Sequence, residues 1–506
     1  MPDQKNDQPK RNYRRTPSDL RMPSNAGKRT EKGIGTIGGS YVKDDRHFGF
    51  DDAGMHIPTG NSEILLTRRQ LLYGAAGIAG IAAIGGAAVA VTNANETRNE
   101  VESLSVAEGE VFTLDDCAEV PADDVMTLIG EYKLPYGSLV WAGNDSIAAC
   151  LLPTSKSTPL VTAALLDLSS GNVSTVLEAA ESASEGFEIY DMRASYEGAI
   201  WAEANILTGA WRVYVAQRSN LDLLEHHLVD EGDASTEMPT LAAIEGNAYW
   251  QVMPVVPPED AEDPDEGETQ IKVVAFTKPK KAKTIYTAPG RCATAITPAT
   301  AEQGIVATPR HPDARSHRQM LLIDPDGNVL DSLTFPSRMV PMEACYGSSG
   351  FAFSFERIYN YGGGIANLGT YTPQAKPEGT QYSNRSWFRF GRTPSMPPAW
   401  CDGWFLVKST SAVVAIDLQS KRYVIFPTDN NAEIYGDCLA SLGENGSLVI
   451  FTNVDRTAAV QDNEKVSEDD KVCFVRVYTT KENADKYTVS DNYSEEGEWE
   501  DWGETY

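Results

Sequence analysis

Short runs of bulky apolar residues recur along the chain from about residue 140 onwards. Each run follows a turn residue, often glycine, and holds apolar residues that are typical of the centre of a β-strand. Seven runs occur, and they begin at Asp145, Gly198, Asn247, Gly304, Gly350, Gly403 and Gly446. Their spacing of 43 to 57 residues, with almost no helical periodicity, predicts a repeated β-sheet unit.

A second apolar run follows each of the first, and turn residues separate its strands. In the first copy, Leu165-Leu166-Asp167 precedes a Ser-Gly-Asn turn and a further strand. These short strands predict an all-β fold, a seven-bladed β-propeller over residues 111–489, because a blade buries both of its faces only when neighbours stack and the ring closes. We expect residues 126–129 to add a strand to the last blade and so to latch the ring.

The repeats loosely resemble, in architecture, the blades of WD-repeat and quinoprotein-type propellers. They contain no repeated Trp-Asp dipeptide, so the resemblance implies a fold and no activity. Tryptophan is frequent at the predicted strand positions, where we interpret it as core between blades rather than as a surface that stacks on a ligand. These residues are Trp141, Trp201, Trp211, Trp250, Trp387, Trp400 and Trp404.

The first 66 residues are polar, rich in proline and glycine, and without sustained periodicity, so we expect a disordered cytoplasmic region. After them, residues 67–94 carry Thr67, Arg68, Arg69, Leu71 and Leu72 ahead of an uncharged Ala- and Gly-rich stretch, residues 71–91. This segment resembles a twin-arginine export signal, although Leu71 replaces the family's Phe and Tyr73 its Lys. The resemblance implies the twin-arginine translocase as a partner.

The fate of the export segment has two alternatives. Ala88 and Ala90 form a small-x-small cleavage site, and cleavage would give a secreted protein. Without cleavage, residues 71–91 are long enough to anchor the chain in the cell membrane as a transmembrane helix. Both alternatives place residues 95–110, a linker, and the β-propeller outside the cytoplasm, because the positive charge precedes the apolar stretch. Met55 is an alternative start that would give a shorter leader.

Charge changes sign along the chain. Residues 1–70 hold 13 Lys and Arg against 9 Asp and Glu, whereas the remainder holds 30 against 63, a net charge of −33. So acidic a domain argues against binding to nucleic acid and favours basic partners. The residues 490–506 form an acidic tail, which we expect to be disordered.

The sequence shows no motif for catalysis, a cofactor or a metal ion. The seven cysteines form no CxxC pair and are interpreted as buried apolar residues, with disulfides formed after export as the alternative. The segment Asp324-Pro325-Asp326-Gly327-Asn328 is explained by a hairpin turn. We therefore predict no catalytic, cofactor-binding or metal-binding residues.

Two acidic insertions and one basic segment distinguish three of the repeats. The third repeat adds Glu259, Asp260, Asp263 and Asp265, and the seventh adds Glu468 and Asp469. The equivalent segment of the fourth repeat is basic, with Arg310, Arg315 and Arg318. Because each lies between the second and third strands of its blade, we expect all three on the same face of the disc, as a candidate partner face. Each is alternatively a solvated loop.

The function predicted from the sequence is therefore a binding or assembly module on the cell surface. The partner, a surface protein or other ligand, is not identified by the sequence. The alternative is an exported propeller enzyme, a hydrolase, lyase or quinone-dependent dehydrogenase, with its active site at the central channel. The absence of a motif favours the binding module.

Overall fold

The computed structural model describes residues 101–257, 266–356, 365–366, 368–376, 381–392, 396–457 and 470–484, together with four strands between residues 41 and 66. The chain divides into two compact units, Met1–Thr67 and Arg68–Tyr506. The export segment with its cleavage site and the acidic tail lie outside the described residues. They remain predictions.

The first unit contains a four-stranded antiparallel sheet. Its strands pair in chain order and are β1 (Tyr41–Lys43), β2 (Arg46–Asp51), β3 (Gly54–Thr59) and β4 (Ser62–Leu66). The four strands differ from the disorder that was expected over residues 1–66. For residues 1–40, disorder stays a prediction. The composition of this region did not indicate the strands, because the alternation of apolar and polar residues around Met55 and Ile57 is short and lies within a polar region.

The second unit is built almost entirely of strands that form seven sheets. The short helices among its described residues include one α-turn, Ala122–Val125, helical residues 481–484 after the last strand, and the 3-10 turns Glu108–Glu110, Leu114–Asp116, Ala183–Glu185, Pro279–Lys281 and Thr300–Glu302. Three strands precede the first sheet: β5 (Val111–Thr113), β6 (Ala118–Glu119) and β7 (Met126–Pro135).

The first three sheets follow one another along the chain. Sheet 1 contains β8 (Leu139–Trp141), β9 (Ile147–Pro153), β10 (Val161–Asp167) and β11 (Val173–Leu177). Sheet 2 contains β12 (Glu188–Ala194), β13 (Gly198–Asn205), β14 (Ala210–Ser219), β15 (Asp222–Leu223) and β16 (His227–Gly232). Sheet 3 contains β17 (Thr240–Ile244), β18 (Asn247–Val252), β19 (Glu268–Ala275) and β20 (Lys283–Pro289).

The next three sheets continue the same order. Sheet 4 contains β21 (Thr297–Ala299), β22 (Gly304–Ala307), β23 (Arg310–His311), β24 (Ala314–Ile323) and β25 (Val329–Thr334). Sheet 5 contains β26 (Glu343–Gly347), β27 (Gly350–Glu356), β28 (Leu368–Pro373) and β29 (Trp387–Phe390), with β5 on its edge. Sheet 6 contains β30 (Ala399–Cys401), β31 (Trp404–Lys408), β32 (Val413–Asp417) and β33 (Arg422–Ile425), with β6 and β35 (Glu444–Asn445) on its edges.

Sheet 7 is assembled from both ends of the unit. It orders β34 (Ala432–Leu439), β36 (Ser447–Asp455), β37 (Lys471–Thr480) and β7. The strand β7 pairs antiparallel with β37 from Met126 to Pro135, which confirms the predicted latch strand at residues 126–129. The fourth strand of sheet 7 therefore comes from the start of the unit, and its other three strands come from the end.

The arrangement is that of a β-propeller, and the seven repeats of the sequence coincide with the second strands of the seven sheets. Six sheets are blades whose four main strands come from one continuous stretch of the chain. The sequence predicted seven blades, whereas the structure has six. The difference is sheet 7, which combines strands from both ends of the unit. The first strands of sheets 2 to 6 lie side by side in order, and Ala142 N, after β8, donates to Ala440 O, after β34, at 2.9 Å. Sheets 1 and 7 are thus adjacent.

A belt of chain, residues 101–135, runs along the outer edges of four consecutive sheets. Leu104 donates to Thr334 O in sheet 4 at 2.7 Å, β5 pairs with β29, β6 pairs with β33, and β7 completes sheet 7. The side chains of Leu104, Val106 and Phe112 are buried beneath it. The belt therefore covers strand edges that would otherwise be free to pair with other chains.

The core lies between the sheets and confirms the interpretation of the tryptophans. All seven of the predicted core tryptophans are buried. Six of the seven cysteines are buried thiols, Cys117 is half-buried, and none forms a disulfide. Among the described residues, no helix is long and apolar enough to cross a membrane.

One end of the strands carries all three distinctive segments. The acidic insertions connect β18 to β19 and β36 to β37, and the basic segment connects β22 to the body of β24, so each joins a second strand to a third strand, as predicted. Strand register places the beginning of each first strand at this same end of its sheet, as in Glu188 opposite Ala204 and Glu343 opposite Ser354. We call it the insertion end.

The belt and the latch strand predict a graded loss of stability. We compare chains that begin at residues 101, 122 and 137. The chain from 122 loses the buried Leu104, Val106 and Phe112, each worth about 1.5–3 kcal/mol, and is expected to melt cooperatively at a lower temperature. The chain from 137 also loses β7 and is expected to aggregate without a cooperative transition. Circular dichroism melts and gel filtration measure both, and equal melting of the last two would refute the latch.

Candidate binding face

The acidic insertion of sheet 3 leaves the fold through a narrow neck. Gly267 has a φ of +90°, and a Cβ there would lie 2.7 Å from the Pro254 side chain, so glycine is required where the two arms of the neck meet. The guanidinium of Arg291 donates to Pro254 O and pairs with Glu237 at 2.7 Å. The neck is therefore fixed to the body of sheets 3 and 4.

The basic segment of sheet 4 is a β-hairpin rather than a loop. Arg310 lies opposite Arg318, and the Arg310 guanidinium donates to Arg315 O at 2.9 Å. Arg318 donates to Arg291 O, which connects this hairpin to the neck of the sheet 3 insertion. Arg315 is exposed, whereas Arg310 and Arg318 are half-buried. The basic hairpin therefore lies beside the neck from which the sheet 3 insertion leaves, and its proximity to the carboxylates of that insertion stays a prediction.

The acidic insertion of sheet 7 has its own neck. Arg456 N donates to Asp470 O at 2.6 Å, which joins the two arms, and the Arg456 guanidinium pairs with Asp429 at 2.8 Å. Asp455 accepts from Thr457 and pairs with Lys471 at 3.1 Å. This neck lies next to the beginning of β34, because Asp455 N donates to Asn431 O.

The predicted residues of the two insertions themselves are not placed. Glu259, Asp260, Asp263, Asp265, Glu468 and Asp469 lie outside the described residues. Their flanking strands fix the end of the sheets from which the insertions leave. The same holds for the export residues Thr67, Arg68, Arg69, Leu71 and Leu72, which also lie outside the described residues.

Exposed apolar side chains concentrate at the insertion end. Of the exposed large apolar residues that do not lie on outer strands, seven are at this end: Ile206, Leu207, Val255, Val256, Leu368, Ile434 and Tyr435. Two, Tyr196 and Leu224, lie toward the other end. Leu207 is 82% exposed and Ile434 is 84% exposed, so water reaches nearly the whole of these side chains. Apolar surface of this kind indicates contact with another molecule when it clusters.

Charged side chains also lie on the first strands, which face the centre of the ring. In sheet 2, Arg193 pairs with Asp191 and lies over the ring of Trp141 in sheet 1, 4.2 Å from its centre. Burial raises the pKa of Asp191 and lowers the pKa of Arg193, while their mutual attraction opposes both shifts. This pair connects two neighbouring sheets near the channel.

The carboxyl of Glu343, a half-buried residue at the beginning of β26, has neither a hydrogen bond nor an ion pair among the described residues. Burial raises its pKa to about 8. Ser354 lies directly opposite, and its buried hydroxyl also has no hydrogen-bond partner within the described part of the chain. A carboxylic acid that stays protonated near neutral pH can donate a proton or a hydrogen bond.

A buried ionic network joins sheets 6 and 7 at the insertion end. The carboxylate of Asp437 accepts from Arg476 at 2.6 Å and from Thr428 at 3.0 Å. Lys408 is also buried, and its ammonium donates to Tyr435 O at 2.7 Å and to Asp437 O. Burial raises the pKa of Asp437 and lowers the pKa of Lys408, because both charges lose water.

Neither Glu343 nor the Asp437 network has a signal in the sequence. Single charged residues at the ends of short strands carry no motif, and only the stacking of sheets places them near the channel. The region described by the structure contains no cluster of three or more His, Cys, Asp or Glu side chains that could hold a metal ion.

Comparison with known proteins gives a fold-level likeness only. No family model and no curated protein matches the chain. Among solved structures, the chain is similar to a post-proline cleaving enzyme from Rickettsia typhi (9% identity, 67% of this chain and 54% of that one, TM-score 0.42). It is also similar to an oligogalacturonate lyase in complex with manganese (9% identity, 71% and 93%, TM-score 0.39) and to the N-terminal domain of Nup159 (10%, 75% and 100%, TM-score 0.37). At these scores the likeness carries no argument about function.

The raised pKa of Glu343 predicts a pH-dependent stability that Glu343→Gln removes. The folded state holds this proton more tightly than the unfolded state, so its stabilisation is complete below pH 4.5 and is lost as the pH rises through about 8. Stability should fall by about 1.4 kcal/mol per pH unit within that window.

The measurement is the melting temperature of the wild type, Glu343→Gln and the exposed control Glu178→Gln at pH 5 and pH 8.5. Glu343→Gln should be clearly more stable than the wild type at pH 8.5 and similar to it at pH 5. The control should follow the wild type at both values. An equal effect of Glu343→Gln at both pH values would exclude a raised pKa at Glu343.

Proposed function

We propose that this chain is an exported or membrane-tethered binding module whose insertion end captures a protein partner on the cell surface. The observation that carries the proposal is the asymmetry between the two ends of the propeller. Both acidic insertions, the basic hairpin and seven exposed apolar residues belong to the insertion end. Interfaces combine apolar contact with a polar rim, and this end offers both.

Charge selects the kind of partner. Beyond residue 70 the chain carries a net charge of −33, and both acidic insertions leave from the end of the sheets that carries the exposed apolar side chains. A surface of this charge attracts basic proteins and repels anionic ones. It also repels anionic lipid headgroups, which argues against the insertion end lying on a membrane.

Export is part of the proposal and is supported by the sequence. Arg68 and Arg69 precede a weakly apolar stretch, as in twin-arginine signals. In the proposed arrangement sheet 7 counts as a seventh blade, because β7 completes it and it lies beside sheet 1. Residues 71–91 would either be cleaved off after Ala90 or hold the module at the membrane.

The second candidate function is an exported enzyme with its active site at the central channel. Glu343 favours it, since a protonated carboxyl without a structural partner is suited to act as a general acid. The binding module has the wider support, because binding to a partner accounts for the acidic insertions, the basic hairpin and the exposed apolar residues together.

Neutralising the insertions tests the proposed binding face. Asp263, Asp265, Glu468 and Asp469 are replaced by Ser, and the matched control replaces four carboxylates toward the other end: Glu197, Asp222, Glu245 and Asp326. Capture of partners from surface extracts should fall for the insertion variant alone, and more so at low than at physiological salt, because screening shortens the range of the attraction. Stability should change by less than about 0.5 kcal/mol in both. Equal recovery with both variants would reduce the insertions to solvated loops.

Replacing Arg68 and Arg69 by Lys tests the route of export. A twin-arginine receptor recognises the guanidinium pair, and Lys offers only a point charge in its place. The double variant should therefore accumulate in the cytoplasm, as measured by cell fractionation. Normal export would assign the segment to another route without affecting the binding face.

A further inference from the structure

The turn between β19 and β20 of sheet 3 carries a group of lysines in an otherwise acidic chain. Residues 269–301 contain five Lys and one Arg and no Asp or Glu, although 63 carboxylates face 30 basic residues beyond residue 70. Four of these lysines lie within residues 278–283, which we call the lysine turn: Lys278, Lys280, Lys281 and Lys283. The turn joins the third strand of sheet 3 to its fourth, so it lies at the end opposite to the insertion end.

Three of the four ammonium groups have no internal partner. Lys283 pairs with Asp326 of sheet 4 at 3.1 Å. Lys278, Lys280 and Lys281 are exposed, and their ammonium groups have neither an ion pair nor a hydrogen bond within the part of the chain that the structure describes. Lysines along an outer strand can serve only to prevent pairing with other chains, but these three lie on the turn before β20 and not along it. Three unpaired cations on one turn favour contact with an anionic surface.

Exposed apolar side chains lie beside the lysine turn. The turn between β24 and β25 packs against β20, because a Cβ on Gly327 would lie 2.6 Å from Ile285 O. Directly after this turn, Val329 is 48% exposed and Leu330 is 49% exposed. Peripheral binding to a membrane uses both kinds of group, since cations are attracted to anionic headgroups and apolar side chains enter the boundary with the acyl chains. The rim of sheets 3 and 4 offers this combination.

The belt brings the start of the described chain to the same rim. Leu104 bonds to Thr334, the last residue of β25, and β25 begins at Val329 beside the lysine turn. A strand of this length spans roughly 20 Å. Residues 92–100 separate the belt from the apolar stretch 71–91 and reach at most about 35 Å when fully extended. An uncleaved stretch 71–91 therefore keeps the rim of sheets 3 and 4 close to the membrane.

We propose that the lysine turn, together with Val329 and Leu330, docks on the anionic phospholipid headgroups of the membrane in which residues 71–91 anchor the chain. This inference rests on the membrane-tethered form of the proposed function and adds the orientation of the module. Docking through this rim leaves the insertion end away from the membrane, where a partner reaches it. Repulsion between the acidic insertions and the headgroups favours the same orientation.

The test measures this orientation in the full chain, reconstituted into vesicles of phosphatidylcholine alone or of an equal mixture with phosphatidylglycerol. Flotation of the vesicles first shows whether the chain is anchored. A fluorescent amino acid replaces the exposed Thr277, directly before the lysine turn, or Leu207 at the insertion end, and nitroxide-labelled headgroups quench it on close approach. Position 277 should be quenched strongly in the mixture and weakly in phosphatidylcholine alone, and position 207 in neither. High salt should remove the difference, because screening shortens the range of the attraction.

Replacing the three unpaired lysines tests their role. Each Lys close to an anionic surface changes the ratio of docked to undocked molecules by a factor of about 5, so Lys278→Gln, Lys280→Gln and Lys281→Gln together should lower that ratio by about 100-fold. Quenching at position 277 should then fall to its level in phosphatidylcholine. Arg at the same three positions keeps the charges and should keep the quenching. The melting temperature should not change, because all three side chains are exposed.

A matched control removes the same number of charges elsewhere. It replaces three exposed lysines of other sheets by Gln: Lys156, Lys421 and Lys481. This control variant has the same net charge as the lysine-turn variant and should be quenched at position 277 like the unchanged chain. Equal loss of quenching in both variants would mean that net charge, and not the lysine turn, attracts the chain to the vesicles, and would overturn the proposal.

The outcomes separate the docking from the proposed function. Equal quenching at position 277 in both kinds of vesicle, or quenching that survives the loss of the three lysines, overturns the docking and leaves a tethered module. Absence of quenching in both kinds of vesicle also overturns it and leaves the lysine turn for an acidic protein. Stronger quenching at position 207 than at 277 overturns the orientation. A chain that does not float with either kind of vesicle overturns the membrane-tethered form itself.

Discussion

Each sheet of the second unit has two apolar faces, and only another sheet on either side can remove both from water. Sheet 1 and sheet 7 therefore cover an apolar face of each other, although most of their strands come from opposite ends of the sequence of the unit. The strand β7 comes before sheet 1 in the chain and completes sheet 7 through β37, so it ties the two sheets together covalently. The belt before β7 follows the same logic, because it covers the outer edges of sheets 4, 5 and 6.

Closure by stacking uses the faces of the sheets and leaves their two ends free. Changes in connection length at an end alter neither the pairing of strands nor the core, so long insertions cost little there. The insertion end contains both acidic insertions and most of the exposed apolar residues away from the outer strands, while the other end has compact turns such as the one between β26 and β27. The division between a structural interior and a variable end explains how a ring with uniform blades acquires one distinctive surface.

Much of the fold was predictable from the sequence, because blade strands follow a period that the turn residues mark. The starting points at Gly198 and Gly350 coincide with strand beginnings, and residues 126–129 fall within the latch strand. The number of blades was harder to predict, because sheet 7 combines strands from two segments that are distant in the sequence. Glu343 and the network of Asp437 could not be predicted, because their burial arises from neighbouring sheets that the local sequence does not reveal. The bulge at residues 433–436 could not be predicted either, because it depends on the register between β34 and β36.

The network of Lys408, Asp437 and Arg476 is explained by the bulge that it stabilises. Buried charges cost free energy because they lose water, and apolar residues of similar size are often at least as stable in their place. A purely apolar contact between sheets 6 and 7, however, would leave the carbonyl groups of Tyr435 and Asp437 without the donor that Lys408 supplies. Irregular backbone needs such partners, because its own ladder is interrupted. The ionic network therefore stabilises a departure from regular β-structure, and that departure is what exposes Ile434 and Tyr435 at the insertion end.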